Sequence, residues 1–323
     1  MKKILLIQTA FIGDVILSTP ILEALNKHYK NSEIDVVVRK GNETLFRGHP
    51  FIKRVLVWQK TESKYKNLMF LLIAIRRQKY DLVINCQRFA ASGFLTAFSK
   101  GKVKIGFEKN PFARFFTYKI PHQIGKGQHE CERNLALLNP LGIQGDKRPR
   151  LYPPEAKIIP KKPYICIAPS SVWFTKQWPA QKWVELIRSF KIPYEVFLLG
   201  AASDKDLCEE IKSQVQDFDV KNMCGEFDLL QSAAFMGGAV MNYVNDSAPM
   251  HLCSAVNAPV SVVFCSTVPE FGFGPLSDNS TSIEVKEKLD CRPCGLHGYK
   301  ACPKGHFNCA EKIEISQLLR FTE

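Results

Sequence analysis

Residues 3–28 read KILLIQTAFIGDVILSTPILEALNKH, a short apolar run followed at once by a longer amphipathic one. The run from Lys3 to Gln8 is rich in Ile and Leu and ends at a polar turn, which predicts a buried strand. The stretch from Val15 to His28 has apolar residues at helical spacing. A strand that leads directly into a helix begins a βαβ unit, so this segment predicts an α/β fold with a parallel sheet.

The same alternation continues through the first half of the chain. Further strands are predicted at Ile34 to Val38, Arg54 to Val57, Asp81 to Asn85 and Val103 to Ile105, with a helix at Tyr65 to Gln78. The pattern lapses at residues 147–163, KRPRLYPPEAKIIPKKP, whose five prolines indicate a linker.

After the linker the alternation resumes. Strands are predicted at residues 164–168, 195–199, 220–223, 239–244 and 260–264, and helices at 181–190, 204–215, 229–236 and 249–256. The chain therefore predicts two doubly wound α/β domains in tandem, residues 1–150 and 151–323. Because ligands of such sheets bind at the carboxyl ends of the strands, we expect the site in a cleft between the two domains.

Charge is distributed unevenly along the 323 residues. The chain has 44 Lys and Arg against 31 Asp and Glu, yet residues 1–150 alone carry a net charge of +16 and residues 151–323 carry −3. The basic half suits an anionic partner such as a nucleic acid, a membrane surface or an acidic ligand. The 46% hydrophobic and 23% charged fractions exclude disorder, collagen and a simple coiled coil.

The longest apolar run, Leu68 to Ile75, is too short to span a bilayer. Gln8 and Asp14 interrupt the N-terminal apolar stretch, which argues against a signal peptide. Eleven cysteines without an export signal predict reduced thiols in a cytoplasmic protein.

Three polar segments follow predicted strands and are candidate binding elements. In Thr9-Ala-Phe-Ile-Gly13-Asp14, the glycine permits close approach of a ligand and Asp14 either faces that ligand or only caps the helix. The segment lacks the G-x-G-x-x-G pattern of a dinucleotide site. In residues 168–179, the Ser170 and Ser171 hydroxyls and the Lys176 ammonium suit a diphosphate, the alternative being a polar loop packed on Trp178.

The third segment, residues 244–251, joins a strand to a helix. Asp246 and Ser247 either cap that helix or present its N-terminus to an anion, and His251 lies one turn further on. As strand-end features of one fold, all three segments are expected at one cleft.

A Cys-rich segment, residues 291–309, carries the spacing C-x2-C-x7-C-x6-C. Cys291, Cys294, Cys302 and Cys309 can supply four thiolates to zinc or to an iron–sulfur cluster. The spacing fits neither a double C-x2-C zinc ribbon nor a ferredoxin, so a thiol cluster without metal is the alternative. Few basic residues and no aromatic platform accompany the cysteines, which argues against nucleic-acid binding.

Residues 98–119 combine basic residues with Phe107, Phe112, Phe115 and Phe116. This composition suits the anionic interface of a membrane, or else a solvated face over a buried Phe core.

Five stretches together resemble the ADP-heptose:lipopolysaccharide heptosyltransferases of glycosyltransferase family 9, particularly the heptosyltransferase II type. They are KILLIQTAFIGDVILSTPILEAL, GQHECERNLALLNPLGI (127–143), IAPSSVWFTKQWP (167–179), NDSAPMHL (245–252) and CRPC…CPKGHFNC (291–309). The resemblance implies a GT-B architecture: two facing Rossmann-like domains, the first binding acceptor and the second the nucleotide sugar. It also implies an inverting reaction that needs no catalytic metal.

By the same resemblance Asp14 is the general base, and Lys176 with Ser170 and Ser171 meets the donor diphosphate. Asp246, Ser247, Ala248 and His251 match the family's D-[ST]-G-x-x-H element, although Ala248 stands where relatives usually have Gly. Acceptor contacts are expected from Thr9, Gly13, Arg88, Lys102 and Lys104.

The expected reaction transfers heptose from an ADP-sugar to an anionic, lipid-linked inner-core oligosaccharide. We expect a cytoplasmic monomer, peripheral on the inner membrane, that binds no nucleic acid. The alternatives are transfer of a hexose from another nucleotide sugar, or a non-catalytic metal- or redox-sensing relative.

Overall fold

Two six-stranded sheets, each with every neighbouring pair of strands parallel, form the framework of the computed structural model. The structure describes residues 1–61, 63–192 and 194–319. The chain divides into two compact units, Met1–Tyr152 and Pro153–Glu323, with one sheet in each.

The first unit has strand order β3-β2-β1-β4-β5-β6. Its strands are β1 (Lys3–Ile7), β2 (Glu33–Arg39), β3 (Ile52–Trp58), β4 (Leu82–Asn85), β5 (Val103–Phe107) and β6 (Tyr118–Ile120). Its α-helices are α1 (Ile12–Ile16), α2 (Thr19–His28), α3 (Lys64–Gln78), α4 (Ala90–Phe98) and α5 (Glu130–Leu135).

The second unit has strand order β12-β11-β10-β7-β8-β9, which is the same winding read from the other edge. Its strands are β7 (Tyr164–Ala168), β8 (Glu195–Leu198), β9 (Val220–Asn222), β10 (Met241–Asn245), β11 (Val260–Phe264) and β12 (Ser280–Glu284). Its α-helices are α6 (Ala180–Arg188), α7 (Lys205–Ser213), α8 (Leu229–Gly237), α9 (Ala248–Val256) and α10 (Asn308–Glu311).

The α/β class and the doubly wound order predicted from the sequence are confirmed. The predicted helix from Val15 to His28 is instead two helices, α1 and α2. The hydroxyls of Ser18 and Thr19 bond the carbonyls of Val15 and Ile16 at 2.7 Å, so side chains satisfy the end of α1 before α2 begins. The edge strands β6 and β12 were not predicted, because they are only partly buried and lack an apolar run.

The central strands are buried on both faces, as in sheets covered by helices on both sides. In each sheet the winding reverses between two central strands, β1 and β4 in the first unit and β7 and β10 in the second. Each such reversal is a switch point, and the loops after its two strands are where doubly wound sheets bind ligands. Within the described residues, no helix is both long and apolar enough to cross a bilayer.

Candidate active site

Asp14 lies in the first turn of α1, immediately beyond the carboxyl end of β1. Its Oδ2 accepts a hydrogen bond from the backbone N–H of Phe11 at 3.2 Å, so the carboxylate does cap its own helix. In the same unit, Gln87 Nε2 donates to Gln8 Oε1 at 2.6 Å, which links the loop after β4 to the loop after β1. The two loops of this switch point are therefore fixed to each other.

Burial, and after it the negative charge of Glu130, raises the pKa of Asp14 to about 6. The N–H of Phe11 and the positive charge of Arg88 act in the opposite direction. A carboxyl group with a pKa near neutrality is suited to accept a proton from a substrate hydroxyl.

Glu130, at the start of α5, is a functional candidate that sequence reasoning did not single out. Its buried carboxylate is bonded by Arg133 Nε at 2.6 Å and by His122 Nε2 at 3.2 Å. Although burial opposes ionisation, these two partners hold the pKa of Glu130 below its usual value. The available signal was the E-x-x-R spacing in residues 127–143, which places the two side chains one helical turn apart.

Three of the five predicted acceptor residues lie at the same switch point as Asp14. Arg88 follows β4 and is close enough to lower the pKa of Asp14. Thr9 follows β1, where its carbonyl accepts from Lys60 Nζ at 2.6 Å and its buried hydroxyl has no hydrogen-bond partner among the described residues. Gly13 lies within α1, and its carbonyl accepts from Leu17 N at 2.9 Å.

The structure does not bring Lys102 and Lys104 to this point. Lys102 precedes β5, at the amino edge of the sheet, and its Nζ pairs with Asp81 Oδ1 at 2.8 Å. Lys104 Nζ donates to the carbonyl of Ala97 at 2.7 Å, at the end of α4. Because β5 runs parallel to β1 and both lysines are near the start of β5, both ammonium groups lie at the amino ends of the strands. Asp14 lies beyond the carboxyl ends.

At the second switch point, Lys176 and Asp246 meet. Lys176 ends a short 3-10 turn after β7, Asp246 follows β10, and Nζ lies 2.5 Å from Oδ2. Both side chains are largely buried, at 15% and 8% exposure, and Thr267 Oγ1 donates to the same carboxylate oxygen at 2.6 Å. Two separately predicted segments are thus joined by an ion pair.

Asn245, the last residue of β10, fixes the loop that carries the predicted serines and Lys176. Its buried amide donates to the carbonyl of Pro169 at 2.7 Å and accepts from the N–H of Trp178 at 3.0 Å. The loop's two ends are therefore clamped, with Ser170 and Ser171 half-buried between them. Sequence reasoning missed Asn245, although an amide that ends an otherwise apolar strand and precedes Asp246 was a usable signal.

The helix α9 begins directly after Asp246. Ser247 is its N-cap residue in an extended conformation, but its hydroxyl makes no capping bond and instead approaches the carbonyl of Asn245 at 3.4 Å. Ala248 is the first helical residue, and His251 lies buried in the first turns. An N-terminus without a side-chain cap leaves its partial positive charge available to an anion.

The Cys-rich segment brings its thiols near one another without forming a closed ligand set. Burial raises the pKa of Cys309 to about 11, and the thiols of Cys294, Cys302 and Cys291 contribute in the same direction. Cys291 Sγ lies 3.9 Å from His306 Nε2. Across the described parts of the chain, no three His, Cys, Asp or Glu side chains are arranged to hold a metal ion.

The aromatic residues of segment 98–119 divide between core and surface. Phe107 and Phe116 are buried, whereas Phe98 and Phe115 are 41% and 42% exposed. The buried pair matches the alternative of a Phe core, and the exposed pair leaves the membrane interpretation as a prediction.

Comparison with known proteins agrees with this geometry. The model of glycosyltransferase family 9 (heptosyltransferase) matches residues 70–297. The chain is 27% identical to lipopolysaccharide heptosyltransferase 3 of Escherichia coli, covering 83% of this chain and 85% of that protein. It is 24% identical to lipooligosaccharide heptosyltransferase 2 of Campylobacter jejuni, covering 98% and 97%.

Among solved structures, E. coli ADP-heptose lipopolysaccharide heptosyltransferase II superposes with a TM-score of 0.77 at 21% identity, covering 91% of this chain and 96% of that one. This likeness identifies the fold as GT-B, a fold that contains two Rossmann-like units. The family match covers well over half of the sequence, so this chain belongs to glycosyltransferase family 9, the heptosyltransferases, and is a glycosyl-transferring enzyme.

Proposed function

We propose that this enzyme transfers L-glycero-D-manno-heptose from ADP-heptose to the Kdo/heptose-lipid A inner core of lipopolysaccharide, with inversion at the anomeric carbon. The names of the relatives support the heptose and the lipopolysaccharide acceptor, and the name of the similar solved structure supports the ADP-linked donor. The site residues of this chain support the chemistry as follows.

Asp14 is the proposed general base. As the acceptor hydroxyl oxygen forms its bond to the anomeric carbon, its proton passes to the Asp14 carboxylate. The pKa of about 6 supports this role, because the group is ionised at neutral pH yet basic enough to take the proton as the oxygen becomes more acidic. Arg88, on the same side of the sheet, is proposed to hold an anionic group of the acceptor.

The Lys176–Asp246 pair carries the proposal for the donor. When the bond between the anomeric carbon and the diphosphate breaks, its electron pair leaves with ADP, and that charge needs a cation and N–H donors. Lys176 Nζ is held 2.5 Å from Asp246, beside the uncapped N-terminus of α9. These groups supply the electrostatic stabilisation that a metal ion provides in other transferases, so no step of this proposal needs one.

The first unit is proposed to meet the acceptor at the cytoplasmic face of the inner membrane. Besides its charge of +16, it presents large apolar side chains on α3: Tyr65, Met69, Phe70 and Ile73 are 44% to 76% exposed. Lys64 and Lys66 lie at the start of the helix, and Arg76 and Arg77 near its end. Exposed aromatics flanked by cations are typical of a helix that lies on an anionic bilayer.

The four cysteines take no part in the proposed transfer. The prediction that Cys291, Cys294, Cys302 and Cys309 hold a structural zinc ion or an iron–sulfur cluster stays a prediction. Metal analysis of the purified protein, together with turnover before and after chelation, tests it.

The experiment for the function is turnover of ADP-heptose with a truncated Kdo-lipid A type acceptor, measured beside a panel of ADP- and UDP-hexoses. We expect the nucleoside diphosphate, ADP or UDP according to the donor, to be released much faster from ADP-heptose than from each hexose donor. Preferential turnover of a hexose would keep the fold and the mechanism but replace the sugar, and absence of turnover with every ADP-sugar would overturn the donor assignment.

A further inference from the structure

The Cys-rich segment packs directly against the turn that carries Lys176. The contact centres on Thr175, which is 1% exposed. Its backbone N–H donates to the carbonyl of Tyr299 at 3.1 Å, and its hydroxyl accepts from the N–H of Tyr299 at 2.7 Å and from Ser266 Oγ at 3.0 Å. The residue before Lys176 is therefore fixed from two sides, by Tyr299 of the Cys-rich segment and by Ser266, two residues after β11.

Gly298 brings the backbone of the segment against Lys176 itself. Its φ is +79°, and a Cβ placed there would lie 2.9 Å from Thr175 Oγ1, 3.1 Å from Lys176 Cγ and 3.3 Å from Ser266 Oγ. Such separations are tighter than ordinary van der Waals contacts, and the positive φ favours glycine independently. The aliphatic stem of Lys176 thus lies on the peptide backbone of the segment.

The segment is also bonded to the residues that follow β11, next to Asp246. The guanidinium of Arg292 donates to the carbonyls of Cys265 at 2.6 Å and Thr267 at 2.6 Å. Thr267 is the residue whose hydroxyl bonds Asp246. Phe174 and Phe307 also stack, with ring centroids 5.2 Å apart. The segment thus contacts Lys176 directly and contacts Asp246 through Thr267.

We propose that the Cys-rich segment is a positioning element of the donor site, and that Gly298 sets where the Lys176 ammonium can reach. The inference rests on the proposed function, since it assigns the segment to the site where Lys176 meets the donor diphosphate. With its stem held on Gly298 and its neighbour Thr175 fixed by Tyr299, Lys176 can move between Asp246 and a diphosphate oxygen without the turn moving. A positioned charge loses less conformational entropy on binding than a mobile one.

The test is the dissociation constant of ADP, measured by calorimetry on the full-length enzyme. For Gly298→Ala we expect about 10-fold weaker binding, the loss that corresponds to one weakened charged hydrogen bond. Gly305→Ala is the matched control: Gly305 lies in the same segment with φ +74°, but a Cβ there meets no atom within 4 Å. We expect Gly305→Ala to bind ADP as the wild type does. Equal losses in both variants, or no loss in Gly298→Ala, would overturn the proposal.

A second pair of variants decides the matter if Gly298→Ala does not fold. Thr175→Val removes the hydroxyl bonded to Tyr299 and should weaken ADP binding, whereas Thr175→Ser keeps the hydroxyl and should restore it. Thr175→Val binding ADP as tightly as Thr175→Ser would contradict the proposed positioning.

Combination with Lys176→Met separates positioning from a direct contact. If Gly298 acts through the ammonium, Gly298→Ala should weaken ADP binding no further in the Lys176→Met background. An undiminished loss in that background would overturn the inference while leaving the proposed function intact. Failure of the wild type to bind ADP would instead remove the proposed function, and the inference with it.

Discussion

The two switch points of this enzyme have the same strand order and opposite chemistry. In the first unit, the loops after β1 and β4 hold Asp14, whose pKa is raised to about 6 by burial and by the nearby carboxylate of Glu130. In the second unit, the loops after β7 and β10 hold a largely buried lysine paired with Asp246 beside a helix N-terminus. The winding determines where a ligand can bind, and a few side chains determine which charge that place accepts.

The net charge of each half does not indicate which groups lie at its site. In the half with a net charge of +16, the proposed base Asp14 lies near a second carboxyl group, that of Glu130, whereas the half with −3 holds the largely buried Lys176 paired with Asp246. Net charge describes how a surface attracts partners over long distances, whereas the site depends on groups within hydrogen-bond range. The two sites should therefore respond to different substitutions, one in the chemical step and the other in donor binding.

The largest expected effect comes from Asp14→Asn. The amide can still accept from the N–H of Phe11, but it cannot take a proton, so we expect turnover to fall by ~10²–10⁴-fold. ADP affinity, which we propose depends on the other switch point, should stay unchanged. Steady-state turnover and ADP calorimetry on the same preparation measure both. Wild-type turnover in this variant would remove Asp14 as the base.

Lys176→Met should have the complementary effect. It keeps an apolar stem against Gly298 but removes the ammonium, and the loss of a charged hydrogen bond predicts about 10- to 100-fold weaker ADP binding. Lys286→Ala is the control, because Lys286 is an exposed lysine of the same unit that pairs with Glu314. If Lys176→Met bound ADP as tightly as the control, the assignment of donor binding to Lys176 at the second switch point would be wrong.

The sequence predicted the fold well because buried parallel strands are marked by uninterrupted apolar runs. The strands β7 and β11 have the predicted bounds, whereas the edge strands β6 and β12, which lack such runs, were missed. The predicted site residues that follow central strands do lie at the switch points, since strand order alone places them there.

Residues whose role depends on tertiary packing could not be placed in this way. Lys102 and Lys104 were grouped with the acceptor site by charge, but their contacts with Asp81 and Ala97 hold them at the opposite edge of the sheet. Asn245 was overlooked because its partners, Pro169 and Trp178, are distant in sequence. Glu130 was overlooked because the burial of its carboxylate and its contact with His122, outside its own helix, appear only in the folded chain. The function of a polar side chain follows from its partners, and the pattern of its own segment contains little information about them.

Asp14→Asn should also stabilise the folded state. This effect tests the raised pKa of Asp14 independently of its role in turnover. A carboxyl whose folded pKa is about 6 and whose unfolded pKa is near 3.8 destabilises the folded state once it is ionised. We expect Asn to raise the free energy of unfolding by about 1–2 kcal/mol at pH 7.5. The gain should shrink as the pH falls through 6 and be only a small part of that value at pH 4, since it disappears fully only below the unfolded pKa, where the wild-type carboxyl is protonated in both states.

Urea unfolding at pH 4, 6 and 7.5 measures this dependence. Asp217→Asn, which changes an exposed carboxyl of the second unit, is the control and should show no such trend. A gain from Asp14→Asn that persists unchanged at pH 4 would assign it to packing and not to the buried charge.

The smallest expected effect concerns the surface of the basic unit. If α3 lies on the membrane, Phe70→Ser should weaken binding to vesicles of anionic phospholipid by about 1 kcal/mol, because a 58% exposed ring would enter the interface only in part. Ile159→Ser changes a side chain that is 84% exposed in the second unit and should leave vesicle binding unchanged. Sedimentation with vesicles at low and high salt separates the two contributions, since salt weakens the attraction of Lys and Arg but not the burial of the ring. Equal binding of both variants at both salt concentrations would exclude α3 as the membrane contact and leave the +16 charge as a property of the surface alone.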